Sequence, residues 1–204
     1  MILRAENPPC LTEFEKKFCK NWLFQDAPLV FPTDTVMGIG VHGESYQAVC
    51  TLFRVKKREE KKPLILLLAD LKDAVKYVSN PSLLLHPLIE KNWPGSVTGV
   101  FPMATQCSLY TTPQRTHSTI GIRVPSDPFL LDFLRYIECP FLTTSANISD
   151  EHPFQNPLEA QNVLGEESLI LDIQREEITN QPSAVISFQE SGDYTILREG
   201  VIRY

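Results

Sequence analysis

Arg54-Val55-Lys56-Lys57-Arg58-Glu59-Glu60-Lys61-Lys62-Pro63-Leu64-Ile65-Leu66-Leu67-Leu68 is the stretch on which the reading of this chain turns. Just before it, Ser45 to about Val55 places Val49, Leu52 and Phe53 on one helical face, so the stretch starts as the end of an amphipathic helix. It crosses six cations and two anions between Arg54 and Lys62, a local charge of +4. It then enters Leu64 to Leu68, which has the length and composition of a buried strand. Helix, cationic loop and buried strand in succession are the grammar of an α/β protein. The whole chain holds 19 basic and 25 acidic residues, a net charge of -6, so the cationic segment marks a place for an anion. Anchored by the strand that follows, it suits a phosphate-bearing small molecule better than a diffuse nucleic-acid surface.

Outward from there the elements keep alternating. Thr12-Glu13-Phe14-Glu15 has capping-box spacing, and Phe14, Phe18 and Trp22 recur every four residues, which predicts a helix from about 12 to 25. Leu29 to Phe31 reads as a strand. Asp70 and Asn80-Pro81 each cap a helix, Asp127-Pro128 opens a strongly apolar one through Ile137, and Asn156-Pro157 starts one that Gly165 stops. Strands are expected at Val97 to Phe101, Thr119 to Val124, Phe141 to Thr143, Leu169 to Leu171, Ala184 to Phe188 and Tyr194 to Leu197. The expectation is an α/β fold with a mixed sheet, formed as one domain over 1–204 with its core at about 10–202. The polar loop from Met103 to Ser118 is a candidate lid.

Composition narrows the function classes. Apolar residues make up 43% and charged residues 22% of 204, as in an ordinary globular protein. The longest apolar run is far too short to span a membrane, and the N-terminal residues lack the apolar core of a secretion signal. Cys10, Cys19, Cys50, Cys107 and Cys139 are odd in number and show no C-x-x-C spacing, which points to a reducing cytoplasm and away from a disulfide framework. His42, His86, His117 and His152 are scattered, and no metal-ligand set is visible.

Four polar clusters end predicted strands, where open α/β sheets place ligands. In Pro32-Thr33-Asp34-Thr35-Val36, an extended backbone would turn Thr33 and Thr35 to one side; a turn with satisfied hydroxyls is the alternative. Lys56 and Arg58 would diverge by about 160° on a continuing helix but point together if the helix ends near Val55 and the segment is extended. Together they could hold a polyphosphate, or simply complement the end of a helix dipole. Thr119 and Arg123 share a strand face with Gly121 between them, or form an edge strand with an exposed Arg. Ser145 and Asn147 lie two apart in Thr143-Thr144-Ser145-Ala146-Asn147-Ile148-Ser149, a pattern an ordinary capping loop would share. Gly38-Ile39-Gly40-Val41-His42-Gly43 fits G-x-G-x-x-G, but it lies seven residues past its strand and no acid ends the next one, which argues against a dinucleotide site. Neither a P-loop nor a G-x-S-x-G elbow is present.

In order, Pro32-Thr33-Asp34-Thr35-Val36-x-Gly38-x-Gly40, Lys56-x-Arg58-x4-Pro63-Leu64 and Trp93-Pro94-Gly95-Ser96-Val97-Thr98 resemble the YrdC/Sua5 family. So do Thr119-x-Gly121-x-Arg123-x-Pro125, Ser145-x-Asn147-x-Ser149, Pro182-Ser183 and Leu197-Arg198-x-Gly200. The likeness is collinear from about 10 to 202 and matches the shorter members, without the further C-terminal domain of the longer ones. It implies a YrdC-like fold, a twisted mixed sheet flanked by helices with a cationic cleft. It also implies a nucleotidyltransferase, an L-threonylcarbamoyladenylate synthase, that makes threonylcarbamoyl-AMP from L-threonine, bicarbonate and ATP with Mg2+. The product would serve N6-threonylcarbamoyladenosine formation at tRNA position 37, through a separate threonylcarbamoyl-transferase complex. The resemblance assigns Lys56, Arg58, Ser145 and Asn147 to catalysis and ATP binding, with Thr119 and Arg198 also on ATP. It assigns Thr33, Thr35, Lys62, Arg123 and Ser183 to threonine or its carbamate. Met37, Glu59, Lys62, Asp150, Ala184 and Glu199 depart from the usual pattern. An RNA-binding module in tRNA or ribosome maturation, with weak tRNA contact, is the alternative, and the net charge of -6 weighs against it. The related carbamoyl-transfer domain of hydrogenase maturation would come with acylphosphatase and zinc-finger segments, which this chain lacks.

Overall fold

The computed structural model describes residues 1–204 except Asn7, Pro9, Thr116, Asp150, Pro153, Gln155 and 174–180. The departure at Asp150 therefore lies outside the described residues. In chain order the elements are β1 (Ile2–Arg4), α1 (Glu13–Leu23), β2 (Leu29–Phe31), β3 (Gly38–His42), α2 (Tyr46–Val55) and β4 (Ile65–Leu67). Next come α3 (Pro87–Asn92), β5 (Val97–Pro102), β6 (Thr119–Arg123), α4 (Pro128–Ile137) and β7 (Phe141–Ser145). The last are α5 (Pro157–Leu164), β8 (Leu169–Asp172), β9 (Ala184–Phe188) and β10 (Tyr194–Arg198). Among the described residues these ten strands form one mixed sheet in the order β1-β8-β2-β3-β7-β4-β6-β5-β9-β10.

Strand alternation sorts the side chains into two faces. Val30, Ile39, Val41, Leu64, Leu66, Ile120, Ile122, Leu142, Ala184 and Ile186 point to one, where they pack with α2, α3 and α5. Leu29, Phe31, Leu67, Phe141, Leu169 and Leu171 point to the other, beneath α1 and α4. Those two helices reach only part of the second face. Past them, Ile65, Thr98, Val100, Arg123, Thr143, Ser145 and Val185 from β4, β5, β6, β7 and β9 floor an open cleft. One side of the sheet is therefore covered along most of its strands, short of the exposed edge strand β10, and the other only in part, which leaves the cleft open.

Several expectations are corrected. The box on α1 is complete, with Thr12 Oγ1 accepting from Glu15 N and the Glu15 carboxylate accepting from Thr12 N at 2.6 Å. Its buried stripe, however, is Glu15, Cys19 and Leu23, while Phe14 is 77% exposed. Burying Glu15 as the acceptor for Thr12 and Glu6 rotates the stripe by one position from the aromatic series. Asp70 and Asn80 cap as read, but the segments Leu71–Lys76 and Pro81–Leu85 are 3-10 helices, the usual form for such short pieces. The Met103–Ser118 loop does not lid the cleft. Cys107 and Leu109 are buried in the covered face, and backbone bonds run from Tyr110 N to Gly43 O and from Leu64 N to Thr111 O. None of its described residues lines the cleft.

Candidate active site

The cleft encloses about 550 Å³. Of the residues singled out by sequence, Thr33, Thr35, Arg58, Arg123, Ser145, Asn147, Ser183 and Arg198 line it, drawn from segments between β2 and β10. Lys56 lies directly beneath. Lys62 and Thr119 do not line it. The Lys62 ammonium pairs with Glu59 at 3.0 Å while its carbonyl accepts from Arg58 Nε at 2.8 Å, and Thr119 starts β6 opposite Pro102, at the end of the strand remote from Arg123.

Lys56 and Arg58 owe their placement to the way α2 stops. Lys56 is the C-cap, and Lys57 takes a left-handed conformation at φ 50°. Lys57 N then donates to Arg54 O at 3.1 Å and Arg58 N to Phe53 O at 2.9 Å, the two bonds of a Schellman turn. The helix ends at Val55, and the segment after it is a tight turn, neither the continuing helix nor the extended chain weighed from the sequence. It sends Lys56 inward, 1% exposed, where its ammonium donates to the Ser145 carbonyl and, at 3.0 Å, to Asn147 Oδ1. Asn147 Oδ1 also accepts from Ser145 Oγ at 2.7 Å, and Asn147 Nδ2 donates to the carbonyls of Ile148 and Glu151. Loss of solvation, and then the charge of Arg58, pull the Lys56 pKa down to about 7. Arg58 is held by Lys62 O, by Pro63 O at 3.0 Å, and over the Phe53 ring at 5.8 Å.

The opposite wall begins in the turn after β2. Thr33 Oγ1 accepts from Thr35 N and Val36 N and donates to Val36 O at 2.7 Å, a hydroxyl-closed turn. The turn aims Thr35 Oγ1 at Arg123 Nη1, 3.0 Å away. Arg123, 4% exposed, also donates from Nη2 to Asp34 Oδ1 at 2.7 Å and from Nε to Gly95 O at 2.9 Å. A Cβ at residue 95 would lie 2.4 Å from Asn92 O, so only glycine lets that carbonyl sit where it does. Burial lowers the Arg123 pKa against the opposing pull of Asp34. At the third side, Thr98 and Ser183 share a hydrogen bond at 2.9 Å. Arg198 donates to Ser183 O at 2.8 Å and Ser183 Oγ at 3.2 Å.

Sequence reasoning did not assign Asp34, Thr98, Gly95, Glu151 or His152, although the first three stand inside quoted motifs and the last two line the cleft. Among the described residues no group of three or more His, Cys, Asp or Glu could hold a metal ion, and no helix is long and apolar enough to cross a membrane.

The likeness to known proteins agrees with this arrangement. A family model for Sua5, YciO and YrdC, described as "Telomere recombination", matches residues 21–200. A protein named threonylcarbamoyl-AMP synthase from Photobacterium profundum is 31% identical over 175 residues, 84% of this chain and 91% of that protein. Another of the same name from Aliivibrio fischeri is 30% identical over 151 residues, 73% of this chain and 80% of its own. In fold, E. coli YciO superposes with a TM-score of 0.80 at 22% identity, covering 100% of this chain and 96% of its own. P. abyssi Sua5 complexed with L-threonine superposes at 0.83 and 23% identity over 97% of this chain, which spans 57% of that longer one. With the match running through every wall of the cleft, the chain belongs to the Sua5/YciO/YrdC family.

Proposed function

We propose that this protein is a nucleotidyltransferase that joins L-threonine, bicarbonate and ATP into threonylcarbamoyl-AMP and releases pyrophosphate. The observation that carries the reading is the convergence of eight separately encoded polar and cationic side chains on one cleft, in a chain whose relatives bear the synthase name.

The chemistry asks mainly for positioning and charge neutralisation. Threonine's amine and bicarbonate combine to a carbamate with loss of water. A carbamate oxygen then attacks the α-phosphate, and pyrophosphate leaves with the β- and γ-phosphates. Lys56, Arg58, Ser145 and Asn147 form the phosphate end, and Arg198 reaches the nucleotide from beside Ser183. Anion binding beside Lys56 draws that side chain back to its charged form, because the phosphate replaces the solvation lost on burial. Thr33, Thr35, Arg123 and Ser183 form the amino-acid end. Lys62 and Thr119 serve at a distance, Lys62 by holding Arg58 through its carbonyl. Magnesium would come with the nucleotide as MgATP and would offset part of its phosphate charge beside Lys56 and Arg58. The product then supplies, in the cytoplasm, the threonylcarbamoyl group for tRNA position 37 through a separate transferase complex.

Mass spectrometry of the protein incubated with MgATP, bicarbonate and L-threonine, with L-serine in parallel, tests the reading. A threonine-dependent threonylcarbamoyl-AMP peak is the expected result. Folded protein that binds ATP but gives no adduct with either amino acid would sink it and bring the RNA-binding alternative forward.

A further inference from the structure

Asn92 is the last residue of α3, and it is buried. Both protons and the oxygen of its amide are engaged. Nδ2 donates to Leu88 O and to Arg203 O, each at 2.8 Å, and Oδ1 accepts from Arg203 N at 2.8 Å. The side chain thus grips the backbone of Arg203 at its N–H and its carbonyl together, as a neighbouring strand would. The gripped segment begins at Arg198, where the pairing of β10 with β9 shifts register after Ile196. A Cβ at Gly200 would lie 2.8 Å from Ala184 N, so the chain lies flat against the start of β9, and Ile202 packs on the covered core. On its other side Asn92 leads into the turn at Gly95, whose carbonyl accepts from Arg123 Nε at 2.9 Å. Asn92 therefore joins the turn that holds Arg123 to the segment that carries Arg198, and both guanidinium groups line the cleft. Those groups repel each other: burial first, and then the charge of Arg123, lower the Arg198 pKa. Arg198 meets that repulsion with bonds to the neutral carbonyl and hydroxyl of Ser183, at 2.8 and 3.2 Å.

We propose that Asn92 is a positioning residue: its amide clasps the backbone of Arg203 to the end of α3 and so fixes Arg198 in the cleft beside Arg123. Asn92 acts through Arg198 and not on a substrate. Without the clasp, the segment after β10 is tied at Gly200 and Ile202, and repulsion from Arg123 drives the Arg198 guanidinium toward water. A cation held at a fixed place in the cleft binds a phosphate better than one that must be ordered each time. That Arg198 meets ATP rests on the proposed function; that Asn92 anchors its segment rests on the bonds alone.

Asn92→Ala removes the clasp from one side, and Arg203→Pro removes the backbone N–H from the other, at an exposed residue that serves if Asn92→Ala does not fold. Calorimetric titration of the full chain with MgATP should show binding weakened about tenfold in each, and about tenfold rather than a hundredfold in the two combined. Arg203→Ala, which keeps the backbone pair, should stay within about twofold of wild type. In an Arg198→Ala background, Asn92→Ala should weaken binding less than about twofold further, which a general loosening of the fold would not give. Folded Asn92→Ala and Arg203→Pro that both bind MgATP within about twofold of wild type would overturn the proposal, as would an Asn92→Ala effect undiminished by the loss of Arg198. Wild-type protein that binds no MgATP would instead overturn the proposed function, and hydrogen exchange would then decide the clasp. Exchange in the segment from Arg198 to Tyr204 sped about tenfold by Asn92→Ala would support it, and unchanged exchange would overturn it.

Discussion

Among the described residues two cations, Lys56 and Arg123, are almost fully buried, and they are buried on opposite terms. Arg123 reaches the interior with a carboxylate at 2.7 Å, a hydroxyl and a carbonyl. Lys56 reaches it with a carbonyl and an amide oxygen, and with Arg58 as a like-charged neighbour. Removing an ammonium from water costs several kcal/mol unless an opposite charge offsets it, and in Lys56 that cost shows as a pKa drawn down to about 7. Arg123 is thus a settled part of the wall. Lys56 is held by neutral acceptors alone among the bonds described, and its burial is offset only in part.

If that contrast holds, removing each cation should do different damage. Arg123→Met is expected to destabilise the fold by about 3 kcal/mol, because it removes the cation beside the largely buried Asp34 carboxylate, and urea denaturation would read this directly. Lys56→Met should leave the urea midpoint at or above that of wild type and weaken ATP binding about 100-fold, roughly 2.7 kcal/mol, by calorimetry. A fall in stability like that of Arg123→Met would end the contrast. The pH dependence sharpens it further. With its folded pKa near 7 and its ordinary value at 10.5, Lys56 in the unfolded chain holds a proton that the folded protein lacks between those limits. Its contribution to stability therefore rises with pH through that window, and the full penalty applies below it. ATP affinity should run the other way, weakening about fivefold from pH 7 to 8, with proton uptake on binding visible in buffers of different ionisation enthalpy. The smallest expected effect is at Lys57, whose φ of 50° suits glycine. Lys57→Gly should stabilise by about 0.5–1 kcal/mol in thermal melts.

What the sequence disclosed depended on range. Thr12, Ser45, Asp127 and Asn156 act as helix caps, and these are signals contained within three residues. The strands of the cleft floor were equally visible, since Leu64 to Leu68 and Thr119 to Val124 carry their own pattern. β3 was passed over because its glycines argue against a strand, yet a Cβ at Gly38 would lie 2.8 Å from the Phe31 ring and one at Gly40 2.5 Å from that of Phe141. Those glycines let the two rings lie on the sheet. β1 has three residues and pairs with β8 far along the chain, so it leaves no local trace. α3 was missed because its cap is His86 Nδ1, a rare choice. At the site, the motifs identified most of the lining but not who holds whom. The Asp34–Arg123 pair spans 89 positions, and a left-handed lysine at the end of α2 contradicts the usual preference for glycine there.

The walls of the cleft are contributed from Thr33 to Arg198, and strands that lie side by side in its floor are seldom consecutive in the chain. During synthesis Lys56 is therefore made long before its acceptor Asn147, and the Arg198 guanidinium emerges only after β9. A nascent chain carries the lining of the cleft only in part. The full lining of the cleft comes together only once Arg198 has been made.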